Sequence, residues 1–192
     1  MKQPPQPLTS DEARSLLDEC GDGRLGARNR ALVAVLWRCG LRAFEACALE
    51  LKDLAAYGEG YRVTVLRPKG HAKGKPPRVI GVAYDVKEIL DEWIFIRGEG
   101  PGPLFTTSNR QGLQTSYLRQ LLPQLARRAG IHRRVHPHAL RHTFAQELYD
   151  ETKDIRLVQA ALGHDNISTT ERYLAAIGAT QMVTVTAART FK

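Results

Sequence analysis

The stretch HPHALRHTFAQELYDETKDIRLVQAALGHDNISTTERYL, residues 136–174, decides how this chain is read. Pro137 suits the first turn of a helix, where its missing N–H is no loss, and His138 and Arg141 then fall three residues apart on one helical face. Two side chains so placed can reach one anion. Ile155, Val158, Ala161 and Leu162 recur at helical spacing and predict a second helix, which Gly163 ends by supplying a left-handed residue. His164 therefore stands just beyond a helix end. Ser168-Thr169-Thr170-Glu171 has the pattern of a capping box and predicts a third helix, with Tyr173 in an early turn.

His138 and Arg141, then Leu162-Gly163-His164, then Tyr173 nine residues after His164 make three linked pieces. Helix packing alone does not demand that order and spacing. The stretch resembles the C-terminal signature of the tyrosine recombinases, also called the phage-integrase family, whose His-x-x-Arg, Leu-Gly-His and Tyr assemble around one DNA phosphate. Working outward, Gly40-Leu41-Arg42-Ala43-Phe44-Glu45 is similar to the first catalytic box of that family, Gly-Leu-Arg with Glu three residues on. Taken alone, Gly-Leu-Arg is common at helix junctions; joined to the C-terminal signature it gains a functional reading. The resemblance runs from about Thr9 to Tyr173.

Phosphodiester transfer needs charge neutralised on the non-bridging oxygens, a nucleophile opposite the leaving oxygen, and proton transfer at both ends. The resemblance assigns those tasks. Arg42 and Arg141 clamp the phosphate through bidentate hydrogen bonds, in place of the metal that many nucleases use. Tyr173 attacks phosphorus and leaves a 3′-phosphotyrosine with a free 5′-hydroxyl. His138 is the base toward the tyrosine, and His164 donates to a phosphate oxygen. Glu45 buttresses the site without touching the reacting atoms. The covalent link conserves the bond energy, so the resemblance implies no cofactor, metal or ATP.

Two strands are predicted nearer the middle of the chain. Tyr61 to Leu66 alternates apolar and polar residues, and Arg78-Val79-Ile80-Gly81-Val82 reads as a second strand. Between them Pro68 to Pro77 is basic and glycine-rich. The family carries a lysine on this hairpin that protonates the departing DNA oxygen. Counting back from the second strand, Lys73 matches that position best, with Lys69 and Lys75 as the neighbouring candidates; the alternative reading is that all three, Lys73 included, only touch backbone phosphates. The Gly-x-x-x-Gly-Lys string here is not a nucleotide-binding loop, because it lacks a spacer, has Pro76 in place of Ser or Thr, and precedes a strand.

Elsewhere the pattern is helical. Thr9-Ser10-Asp11-Glu12 is a capping box opening a short helix, and Cys20 to Gly26 reads as a loop by its glycines. Leu32, Val35, Leu36 and Cys39 mark a helix from about Arg28 that ends at Gly40, and Ala46 to Leu54 is expected to complete the helix begun near Glu45. Val86, Ile89, Leu90 and Trp93 mark another, stopped at Gly98 to Pro103. Thr115 to Ala129 is read as a helix with Leu118, Leu122, Leu125 and Ala129 inward and Arg119, Arg127 and Arg128 outward, which Pro123 should bend or break. The family places this region near DNA, so those three arginines are candidates for backbone contacts. Met182 to Thr186 alternates like a strand in a tail that family members dock on a neighbouring protomer.

Composition agrees with a polyanionic partner. In 192 residues, 28 Lys and Arg against 20 Asp and Glu give a formal net charge of +8. Cys20, Cys39 and Cys47 lack metal-ligand spacing and fit buried thiols in a reducing cytoplasm. His138 and His142 sit four apart, yet Ala139 stands where a zinc hydrolase needs its glutamate, so a metal site is not read there. No apolar run is long enough to span a membrane.

The expected fold is α+β: a mainly helical tyrosine-recombinase catalytic domain with a small antiparallel β-sheet. Residues 1–192 are read as that single domain, without the N-terminal core-binding domain that closes like a clamp in most family members. The expected partner is double-stranded DNA, with the protein a monomer when free and a homo-tetramer on DNA, in the cytoplasm at the nucleoid and away from membranes. A type IB topoisomerase shares the chemistry and is the nearest enzyme rival. A catalytically silent DNA-binding module is the rival of another class.

Overall fold

A helix that is apolar on every side has to lie at the centre, and the segment Ala31 to Leu36 is fully buried without a polar face. It belongs to α2 (Gly23–Arg38), which is packed by α1 (Ser10–Asp18), α3 (Ala43–Ala48), α4 (Tyr84–Arg97) and α6 (Pro137–Thr152). The computed structural model describes residues 7–66 and 77–163. Two further helices, α5 (Thr115–Arg128) and α7 (Ile155–Leu162), complete the described helical shell.

The sheet is an antiparallel meander of β1 (Leu54–Tyr57), β2 (Gly60–Val65) and β3 (Arg78–Val82), in that spatial order. Val63 pairs with Leu54 on one side and Ile80 on the other. Val63, Val65, Ile80 and Val82 are buried, while Val79 and Gly81 between them are exposed. The alternation sends every even-numbered residue of β3 inward, and Arg78 is therefore on the inward face.

Several elements follow their local signals closely. Thr9 Oγ1 accepts from the Glu12 N–H while the Glu12 carboxylate accepts from the Thr9 N–H, closing the expected capping box. Pro137 occupies the first turn of α6, and Gly163 ends α7 at φ 62°, as read from the sequence. Two readings need correction. The glycine-rich loop is shorter than expected, because α2 already begins at Gly23. Nor does the helix through Glu45 extend to Leu54: α3 stops at Ala48, a 3-10 turn covers Leu51–Asp53, and β1 follows as a strand the periodicity missed. Leu49 is buried and Leu51 packs against the core all the same. Helix α5 runs unbroken through Pro123.

Candidate active site

The site begins with the turn between α2 and α3. Gly40 has φ 57°, a left-handed backbone that favours glycine, and a Cβ there would lie 2.2 Å from a ring carbon of Phe144 on α6. The turn is thereby pressed against α6, and the Gly40 carbonyl faces Arg141. Arg141 Nη1 donates to that carbonyl at 2.6 Å, and its Nη2 donates to the Leu162 carbonyl at 2.7 Å, satisfying an end carbonyl of α7. Arg141 is buried, with a side chain 3% exposed.

Leu41 is buried behind the turn, so Arg42 emerges at the start of α3. The Arg42 N–H donates to Glu45 Oε2 at 2.7 Å, and Arg42 Nη1 donates to Glu45 Oε1 at 2.9 Å. The Arg42 side chain remains 32% exposed, and its other guanidinium nitrogens make no hydrogen bond to a described residue. One edge of this guanidinium is held; the other is open to a ligand.

Glu45 is the centre of the array. Its carboxylate also accepts from Arg78 Nη1 at 2.8 Å and Arg78 Nη2 at 2.7 Å, a two-point pair, and Arg141 Nη1 lies 3.8 Å away. Burial alone pushes the Glu45 carboxyl up. The Arg78 hydrogen bonds and charge, with those of Arg42, overcome that and hold it at about 2. It is an anion at every physiological pH. Three arginines surround one carboxylate, so the array keeps a surplus of positive charge for an anionic group.

His138 precedes Arg141 by one turn of α6. Although the residue is exposed, protein around its ring disfavours the imidazolium, and the Arg141 and Arg42 charges add to that effect. Its pKa is lowered from the ordinary histidine value, which favours the neutral form that can accept a proton. His136 stands edge-on to it, with ring centroids 6.0 Å apart.

The structure thus brings Arg42, Glu45, His138 and Arg141 together. Lys69, Lys73, Lys75, His164 and Tyr173 lie outside the described residues. Arg119, Arg127 and Arg128 are exposed on α5, as read, and no described contact joins them to the Glu45 array. Arg78 was missed as a site residue. Its signal was available: a charged residue on the inward face of an alternating strand. Among the described residues no group of three His, Cys, Asp or Glu side chains is placed to hold a metal ion.

The sequence pattern of the phage integrase family matches residues 6–178. The chain belongs to the phage integrase family. Within this family it is similar to tyrosine recombinase XerC of Chromohalobacter salexigens, at 35% identity over 88% of this chain and 55% of that protein. Tyrosine recombinase XerD of Mycobacterium tuberculosis is 36% identical over 88% of this chain and 56% of that protein. Among solved structures, the XerH site-specific recombinase bound to palindromic difH substrate superposes with a TM-score of 0.80, at 26% identity over 96% of this chain and 53% of that one. The chain therefore spans little more than half the length of these relatives.

Proposed function

We propose that this phage-integrase-family chain carries the catalytic domain of a site-specific DNA recombinase, which cleaves and rejoins strands through a 3′-phosphotyrosine intermediate without metal or ATP. The observation that carries the reading is the convergence of Arg42 and Arg141 on one buried carboxylate, with His138 one turn before Arg141. This pair suits a phosphodiester, since Arg42 presents an open guanidinium edge to a non-bridging oxygen, Arg141 adds a fixed, buried positive charge behind it, and little reorganisation is needed as charge develops. The XerH relative was captured on its difH substrate after cleavage, which supports the same chemistry here.

In this reading His138, neutral at cellular pH, takes the proton of Tyr173 as its oxygen attacks phosphorus. Lys73 protonates the 5′ oxygen that leaves, and His164 donates to a non-bridging oxygen. Reversal of the same steps on a new 5′-hydroxyl reseals the strand. Lys69, Lys75, Arg119, Arg127 and Arg128 contact the DNA backbone, and that contribution falls steeply with salt. The chain acts on double-stranded DNA as a single catalytic domain, a monomer when free and a tetramer on paired duplexes, in the cytoplasm at the nucleoid. Among the described residues no helix is long and apolar enough to cross a membrane.

The test is strand exchange between two differently labelled duplexes in a chelator, without ATP. The duplex sequence is selected from a random library by recovery of protein-linked strands. Labelled recombinant product is expected. Cleavage and resealing that relaxes supercoils but never exchanges labels would replace this reading with a topoisomerase one.

A further inference from the structure

Arg78 has no part among the catalytic and DNA-contact roles assigned above. Both of its terminal nitrogens are committed to Glu45, its Nε lacks a partner but is buried, and its side chain is only 9% exposed, so no donor of Arg78 is presented to DNA. It enters from β3, the strand on the far side of the basic segment from β2. Its stem lies against Gly163, where an added Cβ would meet Arg78 Cδ and Nη1 at 3.2 Å each. Arg78 thus touches two points that matter: the carboxylate that orients Arg42, and the left-handed residue that ends α7.

Resting on the recombinase reading above, we propose that Arg78 is a positioning residue of the phosphate site. It fixes Glu45 by a two-point pair, and Glu45 in turn aims Arg42 at the scissile phosphate. The geometry explains why one carboxylate suffices for the array. Glu45 Oε1 accepts one bond from Arg78 and one from Arg42 Nη1, and Oε2 accepts one from Arg78 and one from the Arg42 backbone N–H. Without the Arg78 fork the carboxylate could rotate about its last bond, and the Arg42 guanidinium would follow it. A lysine at 78 supplies the charge but a single point of attachment, which does not stop that rotation. The role is indirect, because Arg78 acts through Glu45 and Arg42 and never touches the substrate.

The experiment measures single-turnover formation of the covalent protein–DNA complex on a nicked duplex carrying the selected site, for wild type, Arg78→Lys, Arg78→Met, Arg42→Ala, and each Arg78 variant combined with Arg42→Ala. Each is run with an ordinary scissile phosphate and with a methylphosphonate, whose lost negative charge removes the need for an arginine clamp. Arg78→Met is expected to slow the phosphate reaction by about 100-fold, the scale of a misplaced catalytic group. Arg78→Lys should slow it roughly tenfold, the scale of one lost hydrogen bond to a charged group. Both defects should shrink severalfold on methylphosphonate, and neither Arg78 variant should slow the reaction further once Arg42 is alanine. If Arg78→Met does not fold, Arg78→Lys keeps the charge pair and gives the same comparison. Equal slowing on both substrates, or additive effects with Arg42→Ala, would overturn the positioning role while the wild-type adduct leaves the recombinase reading standing. Absence of an adduct from the wild type removes both.

Discussion

Replacing Glu45 with glutamine keeps the shape of the side chain and removes the anion on which three arginines converge. A carboxyl held at about 2 instead of 4.5 favours the ionised form in the folded protein by about 3 kcal/mol. Glutamine also turns an amide N–H₂ toward Arg78 or Arg42, and removes the Glu45 charge from beside the Arg78 and Arg141 side chains, 9% and 3% exposed. Breaking one partner of a buried pair costs about 3–5 kcal/mol, which agrees in scale. In a domain of this size a loss of about 3 kcal/mol lowers Tm by roughly 6–12 °C.

The sign of the pH dependence follows from the same carboxyl. Its folded-state pKa is depressed, so its stabilisation is complete above about 4.5 and is lost as pH falls toward about 2. Glutamine does not titrate. Urea unfolding of wild type and Glu45→Gln, compared from pH 7 downward, should therefore show a gap of about 3 kcal/mol that holds down to about pH 4.5 and narrows by about 1.4 kcal/mol per pH unit below it. A gap under about 1 kcal/mol at pH 7, or one that does not narrow in acid, would refute the claim that Glu45 is the ionised centre of the array.

Other perturbations test the supports of the site. Gly40→Ala combines a left-handed backbone with a clash against the Phe144 ring and should destabilise by about 2–5 kcal/mol in urea unfolding. Gly163→Ala should cost less, about 1–2 kcal/mol, because the nearest atoms belong to the flexible Arg78 side chain; an order reversed between the two glycines would contradict the packing described. Lys73→Ala should slow cleavage much less when the 5′ leaving oxygen is replaced by sulfur, which leaves without an acid; equal slowing on both substrates would remove the acid role from Lys73.

The sequence made the helical shell and the two-strand core of the sheet legible because their signals are local. Capping at Thr9, proline at 137, glycine at 163 and alternation in β2 each act within a few residues of themselves. β1 was illegible because Leu54, Ala55 and Ala56 carry little strand character alone; their pairing with Val63, Arg62 and Tyr61 is what makes them a strand. The central position of α2 was only half visible, since four apolar positions describe one buried face while the structure buries all of them. Arg42, Glu45, His138 and Arg141 could be named from motifs, but the motif does not say that Glu45 binds Arg78 from another strand. That contact spans 33 residues of sequence and depends on β3 pairing with β2 in a register that sets Arg78 beside Val65.

The central claim is a phosphodiester held by Arg42 and Arg141 for attack by Tyr173. Its most direct test is covalent trapping on the selected duplex in low salt and chelator, with peptide mass spectrometry of the linked nucleotide. The account predicts a 3′-phosphate ester on Tyr173 in the wild type, no adduct in Tyr173→Phe, and DNA retention unchanged by that substitution. An adduct on another residue, attachment through a 5′-phosphate, or a wild-type protein that binds the duplex and never links to it would contradict the account.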